Sequence, residues 1–310
     1  MILELDGGRT VCHKPVQSSP PLPMTPAQNL RELLSRPELV VAPGAYDGMT
    51  AKMVEAAGFP CVYMTGAGAS AARGFPDYGL LSMSEMADAA GVLARSVGLP
   101  VIADADTGYG NELNVTRTVR EYEMRGVAGL HIEDQVAPKR CGHLDGKEVI
   151  PREQFVAKIR AALEARRDPA FLVIARTDAR AMLGLDEAVQ RARAALAAGA
   201  DMVFVEAAQS MEELAAIPRA VEGPCLLNIV RGGKTPDLSL ASAREMGYRL
   251  AILPSLLIGA AASACEQALS ALKTTGQPPS SAQSPGVAER FRRLGAAEWD
   301  ALRTRFRDEG

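Results

Sequence analysis

No C-x-x-C pair occurs among the five cysteines of this chain, Cys12, Cys61, Cys141, Cys225 and Cys265, and their number is odd. A disulfide framework is therefore not expected, and the usage suits a reducing cytoplasm. Histidine is scarcer: His13, His131 and His143 are the only three, and no second Cys/His cluster stands near Cys141 to complete a zinc site. Positive charge is not in excess either. With 34 Lys and Arg interspersed among 37 Asp and Glu, for a net charge of −3, the sequence lacks the basic footprint of a nucleic-acid binder. Long apolar runs are missing as well. The stretch "LAILPSLLIGAAASAC" comes nearest to the roughly 18 uncharged residues of a membrane span, and Pro254 and Gly259 cut it. The first residues carry acids and no signal-peptide core, so residues 1–24 read as a loose N-terminal arm.

What is present is repetition. Short β-branched runs, each followed by an Ala-rich amphipathic segment, alternate through the sequence in the manner of parallel strands joined by helices. The runs are "LVVAPGA", "CVYMTG", "PVIADAD", "GLHIED", "FLVIART", "MVFVEA", "CLLNIV" and "LAILPS", eight in all. Helix starts agree: Thr25 with Gln28, Ser82 with Glu85 and Ser210 with Glu213 fit capping boxes, and Pro151 suits a first helical turn. Gly58, Gly98, Gly126, Gly199 and Gly247 stand where helix C-termini need a left-handed residue. No G-x-G-x-x-G follows the first run, which counts against a doubly wound sheet. The expected architecture is a (β/α)₈ TIM barrel over residues 25–273, a linker at 274–286 and a C-terminal helical segment at 287–310. That segment must bury Phe291, Leu294, Trp299 and Leu302 somewhere, and a neighbouring subunit is the expected place.

In such a barrel the C-terminal strand ends build the active site. Here those ends are polar: Tyr46 and Asp47, Thr65, Asp104 and Asp106, Glu133 and Asp134, Arg176 and Asp178, Glu206, Asn228. Residues two apart on a strand face the same side, so Asp104 and Asp106 both suit a hard divalent ion, Mg²⁺ or Mn²⁺, with Glu133 beside them. An EF-hand is excluded by Tyr109 and Val115 at the positions that need Gly and Glu. Arg176 fits either a structural ion pair or a clamp on a substrate carboxylate. Thr65, Gly66 and Ala67 suit an anionic oxygen, and equally an ordinary tight turn. Cys141 lies in "PKRCGHLDGK", a polar loop long enough for a lid, where Lys139, Arg140 and His143 would favour its thiolate. Cys61, Cys225 and Cys265, in apolar surroundings, read as buried small hydrophobes.

Two motifs carry a family resemblance. Lys139-Arg140-Cys141-Gly142-His143 matches the K-[KR]-C-G-H lid, and residues 104–110 match the D-x-D-x-G-[FY]-G metal loop, of the isocitrate lyase / phosphoenolpyruvate mutase superfamily. The sequence resembles most the shorter carbon–carbon lyases of that superfamily, of the 2-methylisocitrate lyase, 2,3-dimethylmalate lyase and petal death protein type, from about residue 25 to 273. The resemblance implies a Mg²⁺-dependent lyase that cleaves a 2-hydroxy di- or tricarboxylate to a 2-oxo acid, as a homotetramer of helix-swapped dimers. It implies Mg²⁺ near Asp104 and Asp106, held largely through waters. It also implies substrate contacts from Tyr46, Thr65, Gly66, Ala67, Asp77, Glu133, Arg176, Glu206 and Asn228, with Cys141, Gly142 and His143 closing over them. Cys141 is then the general acid at carbon, and Tyr46, Glu206 or a metal-bound hydroxide the base. Lys139 and Arg140 would tune the thiol and draw the lid toward an anion. Val230, Arg231 and Gly259 depart from the lyase pattern, which favours a substituted malate unless Arg231 binds a remote carboxylate. Oxaloacetate decarboxylation, P–C chemistry on phosphonopyruvate, and a catalytically silent barrel are the alternatives.

Overall fold

The computed structural model describes residues 5–6, 9–10, 23–279 and 286–308. Most of the N-terminal arm, Cys12 and part of the linker lie outside these residues. All eight sequence runs form strands: β1 (Val40–Ala45), β2 (Val62–Met64), β3 (Val101–Asp104), β4 (Gly129–Glu133), β5 (Leu172–Thr177), β6 (Met202–Val205), β7 (Cys225–Asn228) and β8 (Leu250–Leu253). They pair in parallel and in sequence order, and β8 closes on β1 through Leu250 opposite Val40 and Leu253 opposite Pro43. The closure is tight. A Cβ at Gly44 of β1 would lie 2.6 Å from the Pro254 backbone, so a glycine is needed where the two strands meet.

Alternation along each strand sorts the side chains. Val173, Val203, Leu130 and Ile132 face outward into the helices, in two large clusters. Val40, Ala42, Tyr63, Ile102, Leu172, Ile174, Met202, Phe204, Leu226, Leu250 and Ile252 point inward and fill the barrel. The helix Pro26–Ser35 caps the N-terminal end with Leu30, which is fully buried against this inner cluster. Each large apolar residue buried in this way contributes about 1.5–3 kcal/mol. These apolar layers can therefore support a charged layer above them.

Local chemistry explains the helix starts. Thr25 with Gln28 and Ser82 with Glu85 form complete capping boxes. At Ser210 only half the box forms, because the Glu213 carboxylate turns to Arg180 and Gln209 N. Pro151 is the cap of the helix Arg152–Ala165 rather than a residue of its first turn. Gly58, Gly126, Gly199 and Gly247 adopt positive φ as expected, but Gly98 does not: the helix Met83–Ser96 ends on extended Val97, and Gly98 N donates to Glu55 instead.

The last barrel helix, Leu256–Thr275, buries none of its 20 residues, and Cys265 on it is exposed. The expectation that Cys265 is a buried hydrophobe is thus corrected: among the described residues nothing covers the outer face of this helix, on which it lies. Cys61 and Cys225 are buried. The helices Val287–Arg293 and Ala296–Asp308 likewise leave Phe291, Trp299 and Phe306 exposed. Among the described residues no helix is long and apolar enough to cross a membrane.

Candidate active site

One layer above the apolar filling, the same inward parity delivers Asp104, Glu133, Arg176, Glu206 and Asn228 to the C-terminal mouth, and all are buried. Arg176 is the hub. Its Nη1 lies 3.0 Å from Glu133 Oε2, its Nε donates to Asp178 Oδ2 at 3.0 Å, and its Nη2 lies 3.5 Å from Glu206 Oε2. The guanidinium stacks 5.0 Å over the Phe204 ring. Burial opposes its charge, yet Asp178, Glu133 and Glu206 outweigh that and hold it firmly protonated. Opposite it, Asn228 Nδ2 donates to Glu206 Oε2 at 3.0 Å, and Ala207 N donates to Glu206 Oε1 at 2.7 Å.

Asp104 and Asp106 meet in a strained turn. Asp106 sits at φ +44° and its N–H donates to Asp104 Oδ1 at 2.9 Å. Gly66 gives Asp104 its room: a Cβ there would lie 2.5 Å from Oδ2. Burial opposes ionisation of both acids. His131, Lys139 and Arg176 nevertheless hold Asp104 down at about 2, whereas burial and the Asp104 charge push Asp106 up to about 6 against Lys139. Burial also pushes Glu133 well up; its Oε2 faces Arg176 in the ion pair, but among the described residues neither oxygen accepts a well-aligned hydrogen bond. An all-oxygen set with buried, unpartnered lone pairs fits a hard divalent cation. Among the described residues no three acids, cysteines or histidines stand close enough to enclose an ion. Water would therefore supply much of its shell, and Glu133 is engaged by Arg176 rather than gathered with the two aspartates.

The lid, residues 138–147, is folded down onto this mouth. Gly142 packs so closely that a Cβ would lie 2.5 Å from Glu206 Cγ and 2.7 Å from Arg176 Nη2. His143 Nε2 lies 3.4 Å from Glu206 Oε1. Cys141, beside them, is partly exposed. Burial pushes its thiol up, a hydrogen bond from the His143 backbone offsets part of this, and Asp77 adds to the rise. This reverses the thiolate expected from its basic neighbours. Lys139 does not face the thiol: its buried ammonium is paired with Asp77 and lies 2.9 Å from Asp106 Oδ1. Arg140 turns outward, stacked 5.7 Å over Tyr78, and contacts nothing in the mouth.

Other expected residues divide in the same way. Thr65 caps the helix Gly66–Ala71 by accepting from Gly68 N, with Ala67 in its first turn, so here the tight-turn reading describes the local role. Asp47 caps the helix Gly48–Ala56, and Asp134 accepts from Thr177, Asp178 N and Arg191 outside the barrel. Tyr46 is only partly buried; burial, then Asp47, push its phenol up. Arg231 is exposed and lines a separate hollow of about 410 Å³ with Ile229, Leu238 and Leu253. Gly259 faces open space on the exposed helix.

Two features have no counterpart among the expected residues. Tyr63 OH meets His131 Nε2 at 2.8 Å beneath Asp104, and inward parity on β2 and β4 was the available signal. Lys147, buried at the base of the lid, bonds the Gly142 carbonyl and reaches Asp178 Oδ1 at 2.8 Å.

A closed parallel barrel with a charged mouth, a pair of loop aspartates and a cysteine-bearing lid defines the class of enzyme. The chain belongs to the phosphoenolpyruvate phosphomutase family, whose model matches residues 30–273, within the isocitrate lyase / phosphoenolpyruvate mutase superfamily. It is 49% identical over 251 residues to 2,3-dimethylmalate lyase of Eubacterium barkeri, covering 81% of this chain and 87% of that one. It is 45% identical to 2-methylisocitrate lyase of Aeropyrum pernix, covering 81% of each. Among solved structures, one of oxaloacetate acetylhydrolase with 3,3-difluorooxalacetate superposes with a TM-score of 0.86 at 39% identity, covering 92% of this chain and 98% of that one. A phosphonopyruvate hydrolase complexed with oxalate and Mg²⁺ gives 0.84 at 33%, covering 91% and 99%.

Proposed function

We propose that this protein is a Mg²⁺-dependent carbon–carbon lyase that cleaves a 2-hydroxy dicarboxylate of the substituted-malate type to a 2-oxo acid and a carboxylic acid. The observation that carries the reading is a cysteine-bearing lid packed on a mouth where Arg176, Glu133 and Glu206 converge, with burial pushing the Cys141 thiol up. The named relatives, 2,3-dimethylmalate lyase and 2-methylisocitrate lyase, support it. Asp104 and Asp106 would hold the cation, which supplies Lewis-acid stabilisation of the substrate's 2-oxygen and carboxylate when bound.

The protein's own residues divide the remaining work. Arg176 binds the anionic end of the substrate and stabilises the charge that grows there. The 2-hydroxyl proton leaves, the C2–C3 bond breaks, C2 becomes a carbonyl, and the bonding pair passes to C3 of the departing carboxylate fragment. Cys141 Sγ–H then protonates C3. A thiol pushed up by burial is protonated at neutral pH, which is the state a carbon acid requires. Glu206 is the better base for the hydroxyl. It lies in the mouth, whereas the Tyr46 phenol is partly exposed and holds its proton more tightly than usual. Lid closure over Glu206 and Arg176 excludes water from the carbanion.

The decisive experiment offers 2,3-dimethylmalate, 2-methylisocitrate and oxaloacetate, each with Mg²⁺ and with EDTA, and follows pyruvate by a coupled dehydrogenase and the other products by chromatography. Metal-dependent pyruvate from 2,3-dimethylmalate is expected. Turnover of oxaloacetate alone would replace the reading by decarboxylation or hydrolysis of that acid, and no turnover anywhere would leave a silent barrel. The same reading includes a cytoplasmic tetramer of helix-swapped dimers, supported by the uncovered apolar helix Leu256–Thr275 and the exposed aromatics beyond it.

A further inference from the structure

The loop after β7 reaches across the mouth to the lid. Residues 230–233 form a turn closed by Gly233 N donating to Val230 O at 3.0 Å, and Gly232 sits at φ +75°, where a side chain would be strained. Gly233 is small for a different reason. A Cβ there would lie 2.6 Å from His143 Nδ1 and 2.9 Å from its Cε1. The flat face of the turn thus seats the imidazole, and the next amide, Lys234 N, donates to His143 Nδ1 at 3.1 Å. The Lys234 ammonium adds a second tie to the lid through Asp145.

An N–H donates only to an unprotonated ring nitrogen, so Nδ1 is bare and Nε2 carries the proton of a neutral imidazole. Two groups face Nε2 at 3.4 Å, Glu206 Oε1 and Asn228 Nδ2; the amide NH₂ has only donors, one of them directed to Glu206 Oε2, so with Nε2 protonated the group of the two that can accept from it is Glu206. We propose that the turn at residues 230–234 is a latch that fixes His143 as its Nε2–H tautomer and aims that proton at Glu206. His143 is then a positioning residue for Glu206 and not a proton donor to substrate. When the lid is down, Glu206 is held on both oxygens, by His143 and Ala207 N on one and by Asn228 on the other.

The charges around the ring are consistent with a neutral imidazole. Burial, Arg176 and Lys147 oppose protonation, Glu206 and Asp178 favour it, and the balance lies below the ordinary histidine value. Asp145 is fully exposed and already paired with Lys234.

The test uses the full-length protein labelled with ¹⁵N-histidine and read by solid-state NMR without substrate, so that it stands apart from the lyase reading on which the role of Glu206 rests. Only three histidines need assignment, and His143→Gln identifies the relevant one. A neutral, Nε2-protonated His143 that gains its second proton only below the ordinary histidine range is expected; an Nδ1-protonated ring, or one cationic at neutral pH, would overturn the proposal. Gly233→Ala should unseat the ring, giving mixed tautomers and titration nearer the usual range, and should lower kcat more than it raises KM. The fall in kcat/KM should be on the order of a hundredfold, as for a displaced catalytic group. Lys234→Ala, which keeps the backbone amide, should keep the tautomer. An unchanged spectrum in Gly233→Ala, or loss of the tautomer in Lys234→Ala, would refute the latch. If Gly233→Ala fails to fold, the spectrum of the unaltered protein decides.

Discussion

Cys141 shows how far a residue's neighbours in space can outweigh its neighbours in sequence. Flanked by Arg140 and close to Lys139 and His143, it has the setting of a thiolate, yet Arg140 faces solvent and Lys139 is occupied by Asp77 and Asp106. What decides at the sulfur is burial, which outweighs the His143 backbone hydrogen bond and the charge of Arg176, with Asp77 and Glu206 adding to the rise, so the thiol is favoured. Replacing Cys141 by Ser leaves a far weaker acid at the same place. Turnover should fall by about 10²–10⁴-fold, the usual range for a general acid, while Mg²⁺-dependent oxalate binding by calorimetry persists. Full turnover in Cys141→Ser would remove the cysteine from the mechanism. The pH profile has a determined sign as well. Under the proposed mechanism the protonated thiol is the active form, and because its pKa is raised, activity should persist above the ordinary cysteine value and be lost only as pH rises further. A loss of activity beginning below that value would contradict the assignment.

At the scale of elements, strands were legible and loops were not. Each strand announces itself by apolar residues at the inward positions, and the same parity carried one step further names Asp104, Glu133, Arg176, Glu206 and Asn228. No such periodicity governs the lid, whose side-chain directions follow from three separate anchorages. Lys139 holds its start to Asp77 and Asp106, His143 its middle to Glu206 and the β7 turn, and Lys147 its end to Asp178. Lys147 was invisible in the sequence because a lysine in a polar loop ordinarily faces water, and only the fold puts it beside the buried carboxylate of Asp178. That anchorage is testable alone. Lys147→Met removes the cation but keeps much of the bulk, leaving Asp178 to share Arg176 with two other acids. Loss of one partner of a buried pair costs about 3–5 kcal/mol. Thermal unfolding should therefore move down by several degrees, and the lid should become an early cleavage site in limited proteolysis. An unchanged melting temperature with an unchanged proteolytic pattern would mean that Lys147 anchors nothing.

For the whole molecule, one side of the barrel stands apart. The helix Leu256–Thr275 carries Leu256, Leu269 and Leu272 on exposed positions and buries nothing, although it occupies the place of a barrel's eighth covering helix. Beyond it Phe291, Trp299 and Phe306 are 59%, 71% and 65% exposed. Exposed large apolar side chains gathered on helices in this way mark a surface that a partner covers. Burial of three aromatic side chains contributes about 1.5–3 kcal/mol each, and in a symmetric assembly every subunit both gives and receives that surface. Phe291 and Trp299 were legible as residues needing cover, Phe306 was not among those named, and the sequence of one subunit does not say which surface covers them. Sedimentation velocity of the full protein should show a single species larger than a monomer. Trp299→Glu combined with Phe291→Glu should shift it to smaller species and lower its melting temperature, while far-UV circular dichroism still reports a folded barrel. A full-length protein that sediments as a monodisperse monomer at micromolar concentration would remove the swapped assembly, and with it the explanation for a barrel helix that buries none of its residues.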